Sequence, residues 1–119
     1  TNDDAISSTT TSSFCVTATE QTKGRGTNGR LWMGAKGNLF VTIGIRQKDW
    51  MTLLPNIPLT LLPLKIGSLV ATHVQELLRT NKCHHSNNNA LTVTVKWPND
   101  VLVEERKISG VLIESSANG

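Results

Sequence analysis

The stretch Lys23–Trp32, KGRGTNGRLW, carries three glycines and three basic residues in ten positions, with no acid among them. Gly24, Gly26 and Gly29 let the backbone take positive φ and approach a ligand closely, and successive bare amides can form a concave anion site. Lys23, Arg25 and Arg30 add charge-assisted donors suited to phosphate or carboxylate. A phosphate-like anion is the natural guest; a solvated hairpin loop kept soluble by its arginines is the alternative these residues leave open. The loop is not GxGxxG opening a helix, because Trp32 and a further glycine-rich turn, MGAKGN, follow it. Nor is it GxxxxGK[ST], so a dinucleotide fingerprint and a phosphate-binding P-loop are both disfavoured.

A second group lies in KWPND, Lys96–Asp100. Lys and Trp stand at a strand end, Pro98 forces an abrupt turn, and Asn99 and Asp100 behind it can bond ligand or local backbone. Seven residues after Asp100 comes Lys107 in KISG. Paired as a hairpin, these strands would bring the Asn99 and Lys107 regions to comparable height, so that an ammonium, an amide and the arginine-bearing loop converge. Alone, Lys107 would read as a solvated turn residue. Cys83, His84 and His85 are adjacent in an Asn-rich tract and match no usual metal-ligand spacing, so no protein metal ligand is identified.

Strands and one helix must position these groups. FCVTAT (14–19) and NLFVTIGI (38–45) read as strands, the second alternating as Leu39, Val41, Ile43 and Ile45, and the glycine-rich loop joins them. From Leu62 to Arg79 the positions Leu62, Ile66, Leu69, Val70, His73, Val74, Leu77 and Leu78 follow helical spacing, with Thr60 as cap and Pro63 in the first turn. His73 there reads as a core-edge residue rather than a base. Asp49 and Trp50 read as loop, with Trp50 over the sheet edge. LTVTVKW (91–97), DVLVEE (100–105) and KISGVLIE (107–114) give three β-rich runs divided by PN and by the charged turn EERK, hence antiparallel. Leu91, Val93, Val95 and Trp97 read as core, Trp97 shaping the site from beneath. The polar tracts 5–13 and 81–90 read as loops. The fold class is α+β, with a mixed, largely antiparallel sheet and flanking helices.

At 119 residues the chain is one domain or less, with a formal charge of +3 that is too slight for a nucleic-acid coat. Two cysteines without CxxC spacing indicate a reducing compartment. Apolar runs are broken by Pro55, Pro58, Pro63 and Lys65, so a membrane span is not expected. Thr1 in place of Met, and a stop at Gly119 just after an apolar run, suggest a domain truncated at both ends.

EQTKGRGTNGRLW, GNLFVTIGI, VKWPNDVLVEERKISGVLIE and the opening TND resemble the catalytic core of the biotin–protein ligases, or holocarboxylase synthetases. The resemblance runs in order through most of residues 1–119 and is weakest in the two polar tracts. It implies a partial biotin/lipoate ligase-type catalytic domain akin to the class II aminoacyl-tRNA synthetase fold. The implied activity is ATP-dependent: biotin is activated as biotinyl-5′-AMP, with Mg²⁺, and transferred to a lysine of a carboxylase's biotin carboxyl carrier domain. By resemblance Thr1, Asn2 and Gln21 contact biotin. Gly24, Arg25, Gly26 and Thr27 belong to the loop closing over biotin and adenylate, with Arg25 catalytic. Lys107, also catalytic, stands between the biotin carboxylate and the α-phosphate. Arg30, Trp32 and Asn99 match nucleotide-side positions, and Gly110 and Leu112 lie on a strand flooring the biotin site. Many family members carry Arg where this chain has Thr27, so the adenylate is expected to be held less tightly. The expected setting is cytoplasmic, or an organelle, with a homodimer compatible; neither membrane nor nucleic acid is implied. Two rival readings remain, a lipoate ligase of the same fold and a non-catalytic biotin- or nucleotide-binding module.

Overall fold

The computed structural model describes residues 12–81 and 90–115. Thr1 and Asn2, and Cys83, His84 and His85, lie outside the described residues. The chain divides into two compact units, Thr1–Asn56 with Glu114–Gly119, and Ile57–Ile113.

In the first unit, β1 (Phe14–Ala18) pairs antiparallel with β4 (Phe40–Gly44), Phe14 opposite Gly44 and Ala18 opposite Phe40. Between them β2 (Gln21–Arg25) and β3 (Leu31–Gly34) form a hairpin of their own. The glycine-rich stretch therefore does not simply link β1 to β4, as the sequence suggested; its ends are strands and its middle is a hairpin tip. The alternation in β4 is real, but its facing is decided by rings and glycines. Phe40 is 8% exposed. Its ring occupies the space where Gly34 would carry a Cβ, and the Phe14 ring does the same at Gly44. Leu39, Val41, Ile43 and Ile45 consequently point outward and are exposed.

After β4 a short helix, α1 (Gln47–Leu53), forms where the sequence suggested a loop, so Asp49 and Trp50 are helical. Asp49 sits in the first turn, where a carboxylate favours the helix dipole. Arg46 grips it with Nε at 2.7 Å and Nη2 at 3.1 Å, and the Ser13 hydroxyl donates at 2.9 Å. These hydrogen bonds, Arg46 first, hold the Asp49 carboxyl below the usual carboxylate range. A depressed folded value means stability that is present above the unfolded carboxylate value and lost as pH falls through the folded one. Asp49→Asn should therefore lower the melting temperature at neutral pH. Melts in strong acid, below the folded value, should show the two proteins converging.

In the second unit, α2 (Leu62–Thr80) packs on a three-stranded antiparallel sheet of β5 (Val93–Lys96), β6 (Asp100–Val103) and β7 (Arg106–Gly110). Pro63 takes the first turn as expected, but Thr60 is not the cap: it lies in a 3-10 turn, Leu59–Leu61, and Leu61 occupies the N-cap position. The buried stripe is Leu62, Gly67 and Ala71, with Val70 and Val74 half-buried. Gly67 brings the helix close: a Cβ there would stand 3.5 Å from Val95 Cγ1 and 3.9 Å from Val101 Cγ2. Val101 is 0% exposed. Leu69, His73 and Leu77 fall on the opposite, exposed side, so His73 is not a core-edge residue; its Nδ1 lies 2.8 Å from the Leu69 carbonyl. The Gln75 side chain serves β5 as a further strand would, donating to Leu91 O at 3.0 Å and accepting from Val93 N at 3.1 Å.

The mixed sheet expected from sequence is, among the described residues, three small antiparallel sheets. Each pairing joins strands linked by a hairpin turn or enclosing one, and such connections permit antiparallel ladders without a crossover. Among the described residues no helix is long and apolar enough to cross a membrane.

Candidate functional site

In the hairpin of the first unit, Gln21 opposes Gly34, Gly24 opposes Trp32 and Arg25 opposes Leu31, with a register shift between Gln21 and Gly24. Gly24 is buried, and its missing side chain is what permits the geometry. A Cβ there would stand 2.5 Å from the Trp32 carbonyl and 2.6 Å from Gln21 Oε1. Gln21, Gly24 and Trp32 are thus brought together, with the Gln21 amide laid across the glycine. The tip is a 3-10 turn, Thr27–Gly29, in which Asn28 and Gly29 take φ of 60° and 70°. Gly26 N donates to Arg30 O at 2.7 Å and closes the tip's base. Thr27 opens the turn, and Arg30 closes it as the C-cap. Arg25, at the end of β2, points Nη2 to within 3.5 Å of Glu114 Oε1.

In the second unit the turn Glu104–Glu105 has φ of 48° and 63°, the left-handed pair of a two-residue hairpin connection. Glu104 compensates for a conformation that non-glycine residues resist: its backbone N–H donates to Thr92 O at 3.1 Å and its carboxylate accepts from Thr92 N at 2.7 Å. Asp100 opposes Gly110 and Leu102 opposes Lys107, with a shift between Val101 and Leu102. The Lys107 backbone is therefore not level with Asn99, contrary to the sequence reading. Its side chain covers the difference, reaching Asp100 Oδ1 at 2.6 Å. Gly110 makes the path, since a Cβ there would lie 3.2 Å from Lys107 Nζ and 3.6 Å from Asp100 Oδ1. Asp100 Oδ1 is shielded from water and receives no aligned hydrogen bond, so the ammonium acts on it through charge. Asn99 donates from Nδ2 to Val111 O at 2.9 Å, and Val111 N returns a bond to Asn99 O at 2.9 Å. Leu112 lies beyond β7 rather than on it, because the ladder ends at Gly110. Trp97 is 63% exposed in the turn after β5, not core.

Lys107, Gly110, Asp100 and Asn99 thus form one cluster, and Gln21, Gly24, Trp32 and Arg25 another, each within its own unit. Asp100 was read in the sequence as a group able to bond ligand or local backbone, but its pairing with Lys107 was not, although the spacing across a two-residue turn brings the two within reach. Glu114 gives no local signal of its approach to Arg25. Each cluster holds a cation against a carboxylate, Arg25 against Glu114 and Lys107 against Asp100.

The profile of the Biotin/lipoate A/B protein ligase family matches residues 1–119. A biotin–[acetyl-CoA-carboxylase] ligase of Paracoccus denitrificans is 32% identical over 107 residues, covering 87% of this chain and 38% of that protein. The bifunctional ligase/repressor BirA of Bacillus spizizenii is 34% identical over 104 residues, covering 86% of this chain and 27% of its own. A crystal structure of the Leishmania major biotin protein ligase in complex with biotinyl-5-AMP superposes with a TM-score of 0.70 at 33% identity, covering 98% of this chain and 47% of that one. The chain spans less than half the length of each of these relatives. On sequence and fold alike, it belongs to the biotin/lipoate A/B protein ligase family.

Proposed function

We propose that this chain supplies catalytic elements of an ATP-dependent biotin–protein ligase, which makes biotinyl-5′-AMP and passes biotin to a carrier-domain lysine. The observation that carries the reading is the Lys107 ammonium at 2.6 Å from Asp100 in a slot left open by Gly110. The L. major relative bound to biotinyl-5-AMP supports biotin and a nucleotide as substrates. The P. denitrificans relative, named for acetyl-CoA carboxylase, supports a carboxylase as acceptor. We read the fold as akin to class II aminoacyl-tRNA synthetases. The setting is cytoplasmic or organellar, the latter in line with an Arabidopsis thaliana relative named chloroplastic.

In this mechanism Lys107 offsets the repulsion between the biotin carboxylate and the α-phosphate. A carboxylate oxygen then attacks the α-phosphorus in line, the bond to the bridging oxygen breaks, and pyrophosphate leaves with its electron pair. Asp100 holds the ammonium at rest. Gln21 orients the biotin ring, and Arg25 with the Gly26–Arg30 tip covers the adenylate against water. By the family resemblance, Trp32 and Arg30 of the first unit and Asn99 of the second are assigned to the nucleotide, and Gly110, Leu112, Thr1 and Asn2 to biotin. Among the described residues no group of three His, Cys, Asp or Glu could hold a metal. Mg²⁺ carried by the triphosphate would screen the phosphate charge.

Calorimetry on the full-length protein tests the reading: biotin binding followed by pyrophosphate release on adding ATP and Mg²⁺ supports the enzyme, and binding without release supports the non-catalytic module. Thr27 gives a second test. A guanidinium there would add a charge-assisted bond to the intermediate, so Thr27→Arg should slow adenylate release by roughly tenfold. Equal release rates in the two proteins would remove Thr27 from the account.

A further inference from the structure

Arg25 and Glu114 stand at almost opposite ends of the sequence, yet both belong to the first unit, and their side chains meet at 3.5 Å while 43% and 35% exposed. Arg25 is the last residue of β2, where the hairpin gives way to its tip. A carboxylate is also what biotin presents, and phosphate is the other anion a guanidinium grips well. An exposed ion pair of this kind is worth a factor of roughly one to five in an equilibrium constant. It is strong enough to bias where Arg25 rests and weak enough to yield to an incoming anion.

We propose that Glu114 is a stand-in anion and a positioning residue: it keeps Arg25 at the base of the tip while no ligand is bound, and surrenders it to the carboxylate or phosphate of biotin or its adenylate. This rests on the reading of Arg25 as an anion-binding residue in biotin activation. The exchange has a direction. Before binding, Glu114 competes for the guanidinium; after binding, its displaced charge repels the ligand anion. Both effects weaken anion binding, so neutralising Glu114 should tighten it. A neutral ligand should not sense the change.

The experiment uses the full-length protein and its Glu114→Gln, Glu114→Asp, Arg25→Gln and doubly substituted variants, titrated with biotinol-5′-AMP, which keeps the phosphate, and with biotin methyl ester, which lacks the carboxylate. Glu114→Gln should bind biotinol-5′-AMP two- to fivefold more tightly, with the gain shrinking as salt rises. Binding of the methyl ester should be unchanged, Glu114→Asp should behave as the parent, and in the Arg25→Gln background the gain should shrink to the part owed to direct repulsion alone. Unchanged or weaker adenylate binding in Glu114→Gln, or an equal gain without Arg25, overturns the proposal. If the parent still releases pyrophosphate with biotin in that case, only the role of Glu114 falls. If the parent neither binds nor releases, the functional reading falls with it.

Discussion

Lys107→Met in the full-length protein should reduce biotin-dependent pyrophosphate release by about 10²- to 10³-fold, the usual effect of removing one preorganised charge from a transition state. Two consequences of the substitution act together. The ammonium that would bridge the biotin carboxylate and the α-phosphate is gone. The Asp100 carboxylate, whose Oδ1 is shielded from water, is left facing the same space without the cation 2.6 Å away. A bare carboxylate there repels both substrates, so the loss should exceed that of the charge alone. Asp100→Asn added to Lys107→Met should therefore recover part of the activity, a coupling that independent sites would not show. Lys107→Arg should rescue poorly. The path to Asp100 passes the bare face of Gly110, where a Cβ would already stand 3.2 Å from Nζ, and a planar guanidinium is broader than an ammonium. The loss should appear both in kcat, lowered by the missing ammonium, and in KM, raised by the carboxylate that repels the substrates.

Gly24→Ala should weaken biotin binding by about 10- to 100-fold, in keeping with the cost of shifting a site by up to an ångström. The new Cβ would meet a backbone carbonyl, Trp32 O, at 2.5 Å, where ordinary contact begins at 3.4 Å. Backbone cannot swing aside as a side chain can, so β2 and β3 must separate by several tenths of an ångström. The Gln21 amide, at 2.6 Å from the same Cβ, must also leave its place. Calorimetry with biotin checks the affinity. A melt checks that the rest of the protein folds, since Val101 and the buried stripe of α2 lie in the other unit. Unaltered affinity would mean that Gln21 and the hairpin register play no part in the site.

Much of this arrangement was legible in the sequence where local chemistry decides it. α2 declared itself by helical spacing, with Pro63 in its first turn. The order of β5, β6 and β7 followed from two short turns, and the resemblance assigned the glycine-rich loop and KWPND to one kind of site. What stayed hidden depends on contacts between distant positions. The outward facing of Val41 and Ile43 is set by the Phe14 and Phe40 rings filling the spaces at Gly44 and Gly34. The exposure of His73 depends on which stripe of α2 meets β5 and β6. The first-turn carboxylate that supports α1 is fixed by Arg46 and by Ser13 from before β1. The Arg25–Glu114 contact spans most of the chain and follows from no spacing. By contrast, the Asp100–Lys107 pair was within reach, since a two-residue turn between paired strands sets their separation.

The family description covers both biotin and lipoate, and we propose that this chain contributes to activating biotin. Mass detection of the product tests it most directly: the full-length protein is given ATP, Mg²⁺ and equal concentrations of biotin and lipoate, then a carrier-domain acceptor. Biotinyl-5′-AMP should form first and a biotinylated acceptor lysine after it, both strongly reduced in Lys107→Met. Lipoyl-5′-AMP as the main product, or a biotinyl adenylate that forms equally well without the Lys107 ammonium, would contradict the proposal.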